Sequence, residues 1–526
     1  MRALLILAFL PACTGSGTQE VADYTLNIIP VVSSNVDPFA NLSRLDVVIE
    51  PVVGDPITTS LDSFESGTNP KISGLAALDG GTVSLEGYAN GDLVSFGRSE
   101  PIELVHGELE ARVLFSQIGK VGFLENLPTA AWASALAPTG NGRFLMFGGT
   151  SAGYPDGTGS STFNTVSALD VAPPTEDFTF FEVGEMPDLS DEAVGRVGHT
   201  ATLLTVNGDQ KGLILVTGGG ATTTYYDDVS SEAFLWDPDT NTVAAELEMR
   251  KARMLHGAIE DKAGNVVLYG GLGYAGRGYI SFETSIEIYS PATGEFSTAT
   301  GKPEGPLYAA ASASLGSPGT LICGGVEFLD SGNWLSSDSC DVVSTSGAVT
   351  TTTSLPAPTA HGAMASLPDG QALFTGGLDT GSDELDQLGA FPALQTAWVF
   401  DGSAWRELDE KMHVPRAGHR ATPLPDGRVL IIGGASGTDY GFYPSGTYAL
   451  ACAEIYDPET EKFTEVDDCD EDSESASLPT RMSLPSIAAD DRYGVLVAGG
   501  LYPGSGKSRS SESAALFVSC PDPDKC

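Results

Sequence analysis

The stretch Ala417–Gly434, AGHRATPLPDGRVLIIGG, carries the pattern on which the fold depends. Its Pro-Asp-Gly segment at 425–427 is a turn sequence, because proline presets φ and glycine permits a positive φ. The apolar run Val429–Ile432 that follows predicts a short strand buried on both faces. The diglycine at 433–434 ends that strand, where the chain turns sharply or another backbone passes close by. A third strand, a turn and the start of a fourth strand follow at Ala453–Phe463, so the cassette predicts a four-stranded unit.

The same cassette recurs along the chain. Diglycines that follow an apolar run begin at seven positions, Gly148, Gly218, Gly270, Gly324, Gly376, Gly433 and Gly499. A period somewhat above fifty residues with this signature predicts a propeller rather than a helical solenoid. The third-strand pattern and its turn recur as well, at Ser231–Thr240, Ser285–Thr293 and Ala453–Thr460. These residues resemble the kelch repeat, and the resemblance covers roughly residues 119 to 520.

The repeats and the residues before them predict an all-β protein. Residues 118–520 are expected to form a seven-bladed kelch β-propeller, and residues 21–117 a small immunoglobulin-like β-sandwich, with a tail at 521–526. The N-terminal prediction rests on alternating segments at Tyr24–Pro30, Leu45–Ile49, Thr82–Tyr88 and Glu110–Phe115. A loose similarity to N-terminal domains of bacterial kelch lipoproteins lies at 97–101.

The last blade has only three strands at the C-terminal end of the chain, at about Pro485–Ala489, Gly494–Ala498 and Ala514–Ser519. Residues 119–126 are apolar and resemble the fourth strand of the first blade, Phe178–Val183, which that blade already possesses. This orphan segment is therefore predicted to pair with Ala514–Ser519. Closing the ring in this way removes an exposed sheet edge and ties the two ends together.

The N-terminal residues predict export. Residues 1–13 combine a basic residue, an apolar run and a small residue, which is typical of a signal peptide. Leu10-Pro11-Ala12-Cys13 resembles a bacterial lipobox, which implies lipidation at Cys13, a tether at 14–20 and an anchor in the cell envelope. In the lipoprotein family, Thr14 after the cysteine favours the outer membrane. The alternative is an ordinary signal peptide with an incidental cysteine.

The charge of the chain limits its partners. Twenty-six basic and seventy acidic residues give a net charge of −44. Such a chain repels the phosphates of nucleic acids and anionic lipid surfaces, so neither is expected as a partner. The acidic surface is expected to keep an exported monomer soluble, with the membrane contacted only through the lipid.

Six cysteines remain after Cys13, and an even number in an exported chain suggests disulfides. Six cysteines allow fifteen pairings, but the repeat narrows them. Cys323–Cys340 and Cys452–Cys469 are predicted because each pair falls on neighbouring strands of one blade. Cys520–Cys526 would close a terminal loop. A thiolate zinc site is not expected, because no Cys-x-x-Cys motif occurs.

Four histidines are predicted to share one position at the start of first strands: His199, His256, His361 and His419. Three of them follow an arginine by three residues: Arg196, Arg253 and Arg416. A ring of imidazoles around a metal is conceivable, but the kelch resemblance favours polar contacts between blades. The chain does not match the tyrosine–cysteine cofactor of galactose oxidase, a copper enzyme of this fold. The acidic run at 467–474 lacks the glycine and glutamate of a calcium loop and is interpreted as a solvated loop. No metal, cofactor or catalytic residue is predicted.

The loops between second and third strands are long and fall on one face of the predicted disc. They carry aromatic residues that are candidate ligand contacts: Tyr154, Tyr225, Tyr226, Tyr274, Tyr279, Trp334, Tyr440, Phe442, Tyr443 and Tyr448. Loops gathered on one face often form the binding surface of a repeat protein. The predicted function is therefore non-catalytic binding of a protein or glycan. Two alternatives stay open: the aromatics cap the blades, or the propeller is a sugar-directed enzyme of oxidase or epimerase type.

Overall fold

The computed structural model describes the chain from residue 24 onward. The exceptions are 62–63, 66, 68, 76–77, 105–107, 125–126, 152–161, 172–179, 190–194, 207, 222–228, 277–278, 329–333, 380–390, 439–447, 467–477, 505–506 and 523–524. The described residues are almost entirely β-strands and turns, with one 3-10 turn at Pro368–Gly370. None of their helical segments is long and apolar enough to traverse a bilayer.

The N-terminal residues form two sheets. Their strands are β1 (Tyr24–Val31), β2 (Arg44–Pro51), β3 (Ile57–Leu61), β4 (Lys71–Leu75), β5 (Leu78–Ala89), β6 (Asp92–Arg98), β7 (Ile102–Leu104), β8 (Glu108–Leu114) and β9 (Ser116–Gln117). One sheet has the order β4-β1-β8, and the other β3-β2-β5-β6-β9 with β7 on β5. The strands β1 and β8 are parallel. Residues from both sheets, including Leu26, Val47 and Val113, form one buried core.

All four alternating segments that the sequence singled out are strands of this unit. Its immunoglobulin-like character stays a prediction.

The remaining described residues contain seven four-stranded antiparallel sheets, which we call blades 1 to 7. A short strand comes before them, β10 (Val121–Phe123). Blade 1 consists of β11 (Ala135–Pro138), β12 (Arg143–Phe147), β13 (Thr165–Asp170) and β14 (Phe181–Glu185), and blade 2 of β15 (Thr200–Leu203), β16 (Ile214–Thr217), β17 (Glu232–Asp237) and β18 (Thr242–Glu248). Blade 3 consists of β19 (Gly257–Glu260), β20 (Val266–Tyr269), β23 (Ile286–Ser290) and β24 (Glu295–Thr298). The hairpin β21 (Leu272–Gly276) and β22 (Tyr279–Phe282) is inserted in blade 3.

Blades 4 to 7 repeat this arrangement. Blade 4 consists of β25 (Ala310–Ser314), β26 (Thr320–Gly324), β29 (Cys340–Val343) and β30 (Val349–Thr351), and blade 5 of β31 (Ala363–Ser366), β32 (Ala372–Thr375), β33 (Ala397–Phe400) and β34 (Trp405–Glu407). Blade 6 consists of β35 (Arg420–Pro423), β36 (Val429–Ile432), β37 (Ala453–Asp457) and β38 (Lys462–Glu465). Blade 7 consists of β39 (Ser486–Asp490), β40 (Gly494–Ala498) and β43 (Ala514–Phe517), with β10 as its fourth strand. Further hairpins are β27 (Val326–Phe328) with β28 (Trp334–Ser336) in blade 4, and β41 (Leu501–Gly504) with β42 (Lys507–Ser510) in blade 7.

Each second strand is an apolar run because it is covered by a neighbouring blade on both sides. The strands β16, β20, β32 and β36 are buried at every residue. The cores lie between consecutive blades: Phe147 and Val166 of blade 1, for example, share a cluster with Val216 and Trp236 of blade 2. Stacked in this way, the blades form one continuous apolar interior although no single sheet could bury both of its faces.

The diglycines form the joints between blades. Both glycines have a positive φ in all seven of the motifs that the sequence singled out. In blade 1, a Cβ on Gly148 would lie 2.5 Å from the carbonyl oxygen of Arg196, which belongs to blade 2. The amide of Gly149 donates a hydrogen bond to that same oxygen, at 2.9 Å. Glycine is therefore needed both for its backbone angle and for the close approach of the next blade.

The ring closes through the orphan segment, as predicted. Strand β10 pairs antiparallel with β43, with Val121 opposite Phe517 and Phe123 opposite Ala515. The other edge of β10 is held by Asn35 of the N-terminal unit. Its Nδ2 donates to the Val121 carbonyl at 2.9 Å, and its Oδ1 accepts from the Phe123 amide at 2.7 Å.

Two of the predicted disulfides are confirmed, Cys323–Cys340 and Cys520–Cys526. Cys323 and Cys340 are directly opposite each other on β26 and β29, with their Cα atoms 4.2 Å apart. Cys452 is also disulfide-bonded. Its predicted partner Cys469 lies outside the described residues, so this pairing stays a prediction. Cys13 and the acidic run at 467–474 also lie outside them.

A candidate ligand-binding channel

The first strands of the blades surround a central channel, whose cavity has a volume of about 700 Å³. Most of its wall consists of alanine, glycine and serine residues, such as Ala135, Ala311, Ser312 and Ala363. Small side chains at these positions leave the axis open. A cavity of this size is within the range of small-molecule sites in proteins.

A ring of left-handed residues forms the mouth of the channel at the diglycine end. One residue from each blade has a φ between +51° and +66°: Ala133, Gly198, Leu255, Ala309, His361, Gly418 and Leu484. Five of the seven carry a side chain, although this backbone region is unfavourable for residues other than glycine. The amides of five of the seven donate to the carbonyl of their counterpart in the preceding blade, as in Leu255 to Gly198 at 2.6 Å and Gly418 to His361 at 2.8 Å. These interblade hydrogen bonds hold the mouth in one conformation.

The expected alignment of four histidines is wrong for His361. Strand pairing places Thr200, Gly257, Ala363 and Arg420 at equivalent positions, each opposite the residue before a diglycine. His199, His256 and His419 precede this position by one residue, whereas His361 precedes it by two. His361 therefore belongs to the left-handed ring and faces the channel mouth. The physical reason is that register follows the backbone ladder and not the spacing of residue types.

The other three histidines are buried between blades, and two of them show the predicted interblade contact. Nε2 of His256 lies 2.9 Å from Oγ1 of Thr217 in blade 2, and Nε2 of His419 lies 2.9 Å from Oγ1 of Thr375 in blade 5. Burial, followed by the neighbouring arginine, lowers the pKa of His199 to about 3 and lowers the pKa values of His256 and His419. All three imidazoles are neutral near pH 7. Among the described residues, no three histidine, cysteine or acidic side chains gather as metal ligands.

The three arginines before these histidines are buried and paired within their own blades. Arg196 binds Glu232, Arg253 binds Glu287 and Arg416 binds Glu454, at 2.9, 2.7 and 2.7 Å. Each guanidinium also donates to the carbonyl of the first glycine of its blade's diglycine. The arginines thus fix the diglycine joints and are not available to a ligand.

Arg420 is different from these three. It lies in the channel wall at the start of β35, and its side chain is exposed. Its Nε donates to the carbonyl of Pro485 in blade 7 at 2.8 Å. In the part of the chain that the structure describes, the guanidinium makes no ion pair. The other six blades carry small uncharged residues at the equivalent position: Ala135, Thr200, Gly257, Ala311, Ala363 and Ser486.

Three further polar groups line the channel. The ring of Tyr269 passes over Gly257, which has no side chain to block it, and its hydroxyl lies 3.5 Å from the carbonyl of Ala310. Burial raises the pKa of Tyr269 although Arg420 opposes this rise. Burial, followed by the charge of Arg420, lowers the pKa of His361 to about 3. Glu260, at the far end of β19, accepts hydrogen bonds from the amide and hydroxyl of Thr205 at 2.8 and 2.6 Å.

The aromatic residues predicted to contact a ligand differ in their exposure and packing. Tyr274 and Tyr448 follow diglycines and are exposed, by 45% and 44%. Trp334 is partly buried and packs edge-to-face on Phe282, with ring centroids 5.7 Å apart, so it caps the blades as the alternative expected. Tyr279 lies on β22, and the structure does not describe its side chain. The others lie outside the described residues: Tyr154, Tyr225, Tyr226, Tyr440, Phe442 and Tyr443.

Sequence reasoning did not identify Arg420, Tyr269 or the left-handed ring. A signal for Arg420 was present, since a charged residue stands where the other repeats have small ones. The ring has no comparable signature, because its positions carry four different residue types and are defined by backbone angle.

The comparisons with known proteins identify the fold. No family model and no curated protein sequence matches the chain. Among solved structures, a fungal alcohol oxidase of the AA5 family in complex with copper is similar at a TM-score of 0.51 and 17% identity, over 76% of each chain. The structure of YjhT is similar at a TM-score of 0.45 and 17% identity, over 65% of this chain and 99% of that one. The chain has a kelch, galactose-oxidase-like β-propeller fold.

Proposed function

We propose that this protein is an exported, lipid-anchored binding protein of the cell envelope, whose propeller recognises a protein or glycan at the diglycine face. The observation that carries the proposal is the composition of that face. An open channel mouth lies on it, together with the exposed rings of Tyr274 and Tyr448. Rigid aromatics beside polar backbone are typical of recognition surfaces.

The chemistry of the channel wall supports binding over catalysis. Besides Tyr308 and the three histidines buried between blades, its described ionisable groups are a guanidinium, a neutral imidazole, a phenol with a raised pKa and a glutamate held by Thr205. A general acid or base works best when its pKa lies near the operating pH. His361, with a pKa of about 3, and Tyr269 are both far from that condition.

The test compares a double substitution with a single control substitution in the full chain. Tyr274→Ser and Tyr448→Ser together should abolish retention on a glycan array or of an envelope partner in a pull-down. The matched control is Phe181→Ser on the outer strand of blade 1, where an equally exposed ring lies away from the channel. Equal retention by both variants would contradict the proposed face.

The anchor is tested separately. Cys13→Ala should move the protein from the membrane fraction to the soluble envelope fraction, because the proposed acyl chains are attached to that thiol. Fractionation of cells that express each form measures this. Membrane retention of a processed Cys13→Ala protein would refute the lipid anchor.

A sugar-directed enzyme of oxidase or epimerase type is the second candidate, favoured by the channel volume and by the similarity to an alcohol oxidase. The described channel residues do not fit a copper site. His256 and His419 face threonines between blades, and His361 lies beside the positive charge of Arg420. We therefore derive no copper-dependent step. Hydrogen peroxide production from sugars or primary alcohols in the presence of copper would favour this candidate.

A further inference from the structure

Arg420 is an unusual residue for this chain. Acidic residues outnumber basic ones by seventy to twenty-six, and eight of the described arginines form ion pairs with carboxylates. The three other arginines near the channel each have one, at 2.7 to 2.9 Å. Among the described residues, Arg420 has none. Within the described part of the chain its side chain makes one hydrogen bond, from Nε to the Pro485 carbonyl, and both terminal nitrogens are available there.

The surroundings of Arg420 form a site rather than a bare surface. The guanidinium lies within a cavity of about 700 Å³, and its position is fixed by its bond to blade 7. Small residues at the six equivalent positions provide room for a ligand beside it. Hydroxyl groups of Ser134, Thr200, Ser312 and Ser486 make the same cavity polar, and each already contacts a polar group of the protein. Tyr269 and His361 are both neutral at pH 7, so neither competes for the positive charge.

We propose that the central channel binds a small oxyanion, such as a carboxylate, through the terminal nitrogens of Arg420. A guanidinium matches the two oxygens of such a group with two parallel hydrogen bonds. One unpaired cation suits a ligand of low charge, since the net charge of −44 repels polyanions at long range.

The inference deepens the binding function proposed above and rests on it, because it names the chemistry of one ligand group at the same face. Glu260 limits how far along the channel an anionic group can bind. This carboxylate lines the same channel three residues further along a first strand and would repel a second anionic group. The ligand is therefore expected to place its anionic end near the mouth and an uncharged part towards Glu260.

The experiment measures anion binding to the full chain by calorimetry at constant low ionic strength. The probes are sodium acetate, sodium gluconate and sodium sulfate, with glucose as the neutral counterpart of gluconate. At least one anion should bind saturably and glucose should not. Comparing the affinities for acetate and gluconate with the affinity for sulfate shows whether the site prefers a carboxylate or a tetrahedral oxyanion.

Arg420→Gln should weaken that binding by at least about tenfold, the loss expected for a charge-assisted contact. Arg420→Lys, which retains the charge but not the two-pronged geometry, should give an intermediate loss and covers the case in which the glutamine variant does not fold. Arg428→Gln is the matched control, because it changes the charge equally but affects an arginine paired with Asp426 in the neighbouring turn. It should bind as the original protein does.

Two outcomes overturn the inference: no saturable binding by any of the three anions, or binding that is indifferent to both Arg420 substitutions. The results also show whether the anion site alone or the proposed binding function as well is refuted. If the Tyr274 and Tyr448 substitutions still abolish retention of a partner or glycan, the proposed function stands and only the anion site is refuted. If both experiments fail, the channel face is not a binding site.

Discussion

Arg416 and Glu454 show how single residues carry charge into the interior of this propeller. Both side chains are fully buried, and Oε1 of Glu454 accepts from Nε and Nη2 of Arg416 at 3.0 and 2.7 Å. Its Oε2 accepts from the amide of His413 at 2.8 Å. Burial would raise the pKa of Glu454, but Arg416 and these hydrogen bonds lower it overall. A buried pair of this kind is costly to break, because the remaining charge has no solvent.

Glu454→Gln should therefore destabilise the protein by about 3 kcal/mol, the lower end for breaking a buried ion pair. The same substitution at Glu461 provides the control. Glu461, in the same blade as Glu454, pairs on the surface with Arg406 of blade 5, and both partners are about half exposed. Its loss should cost at most about 1 kcal/mol. Urea unfolding of the two variants measures the difference, and equal free energies of unfolding would contradict this account.

Glu100 is a second residue whose surroundings control its charge. It lies where the N-terminal unit meets blade 1, next to the ion pair of Arg143 and Asp170. Tyr493 of blade 7 donates to the adjacent Ser99 carbonyl at 3.1 Å. Burial, followed by the charge of Asp170, raises the pKa of Glu100 to about 7, although Arg143 opposes the rise.

This shift predicts a pH dependence. Because the folded pKa exceeds the unfolded value of 4.5, the folded state binds the proton more tightly. The contribution of Glu100 to stability is complete below about pH 4.5 and is lost as the pH rises through about 7. Glu100→Gln should raise the melting temperature at pH 8 and flatten its decline between pH 5 and 8. Glu182→Gln, an exposed residue on β14, should keep the original profile, and an unchanged decline in Glu100→Gln would refute the assignment.

The element that organises the molecule is the second strand with its diglycine. The strand is apolar because neighbouring blades cover both of its faces, and the diglycine lets the next blade approach to hydrogen-bonding distance. Six of the seven diglycines donate such a hydrogen bond, and all seven lie against a carbonyl of the next blade. The histidine–threonine pairs and the left-handed ring add to this contact between blades. Each joint needs two glycines in sequence, which is why the motif is so constant along this chain.

Gly148→Ala tests the joint. A Cβ there would lie 2.5 Å from the Arg196 oxygen and 2.8 Å from that of Phe163, both backbone atoms that cannot yield easily. Gly140→Ala is the control, since Gly140 has φ +79° but nothing within 4 Å of its Cβ. The control substitution should lower the free energy of unfolding by about 1 kcal/mol through backbone strain. Gly148→Ala should lower it by about 3 kcal/mol, because overpacking adds to the backbone strain. Chemical unfolding compares them, and similar losses would show that close approach is unimportant.

On the scale of the whole molecule, three residues close the ring. Strand β10 supplies the outer strand of blade 7 from a position almost four hundred residues earlier in the chain. It also contacts Asn35, so the N-terminal unit and the propeller share this strand. Opening the joint would expose the edge of β43 and the cluster around Val121 and Phe517.

Deleting residues 118–127 should therefore destabilise the entire propeller and not only the link to the N-terminal unit. Val121→Asp is a smaller test, because Val121 is 1% exposed and a carboxylate there would be buried without a partner. Both should lower the melting temperature and accelerate proteolysis throughout the propeller. Leu335→Asp, on the exposed side of the β27–β28 hairpin, is the control. Proteolysis confined to the N-terminal unit would contradict this role for β10.

The sequence by itself determined the elements that depend on local patterns. Apolar runs ending in diglycines marked the second strands, because burial on two faces and a positive φ leave few residue choices. Counting strands within the repeats predicted that 119–126 would pair with Ala514–Ser519, and strand adjacency predicted Cys323–Cys340. These inferences need only the chain order and the geometry of antiparallel neighbours.

The tertiary structure decided what depends on residues brought together from different blades. His361 stands fifteen residues before its diglycine, whereas His256 and His419 stand fourteen before theirs, and only strand pairing shows that this one residue moves it into the channel mouth. The sequence shows Arg420 as a charged residue where the other repeats have small ones, but its separation from the described carboxylates emerges only when the other six blades surround it. The left-handed ring is fixed by hydrogen bonds between blades, a cooperative constraint that local sequence does not encode.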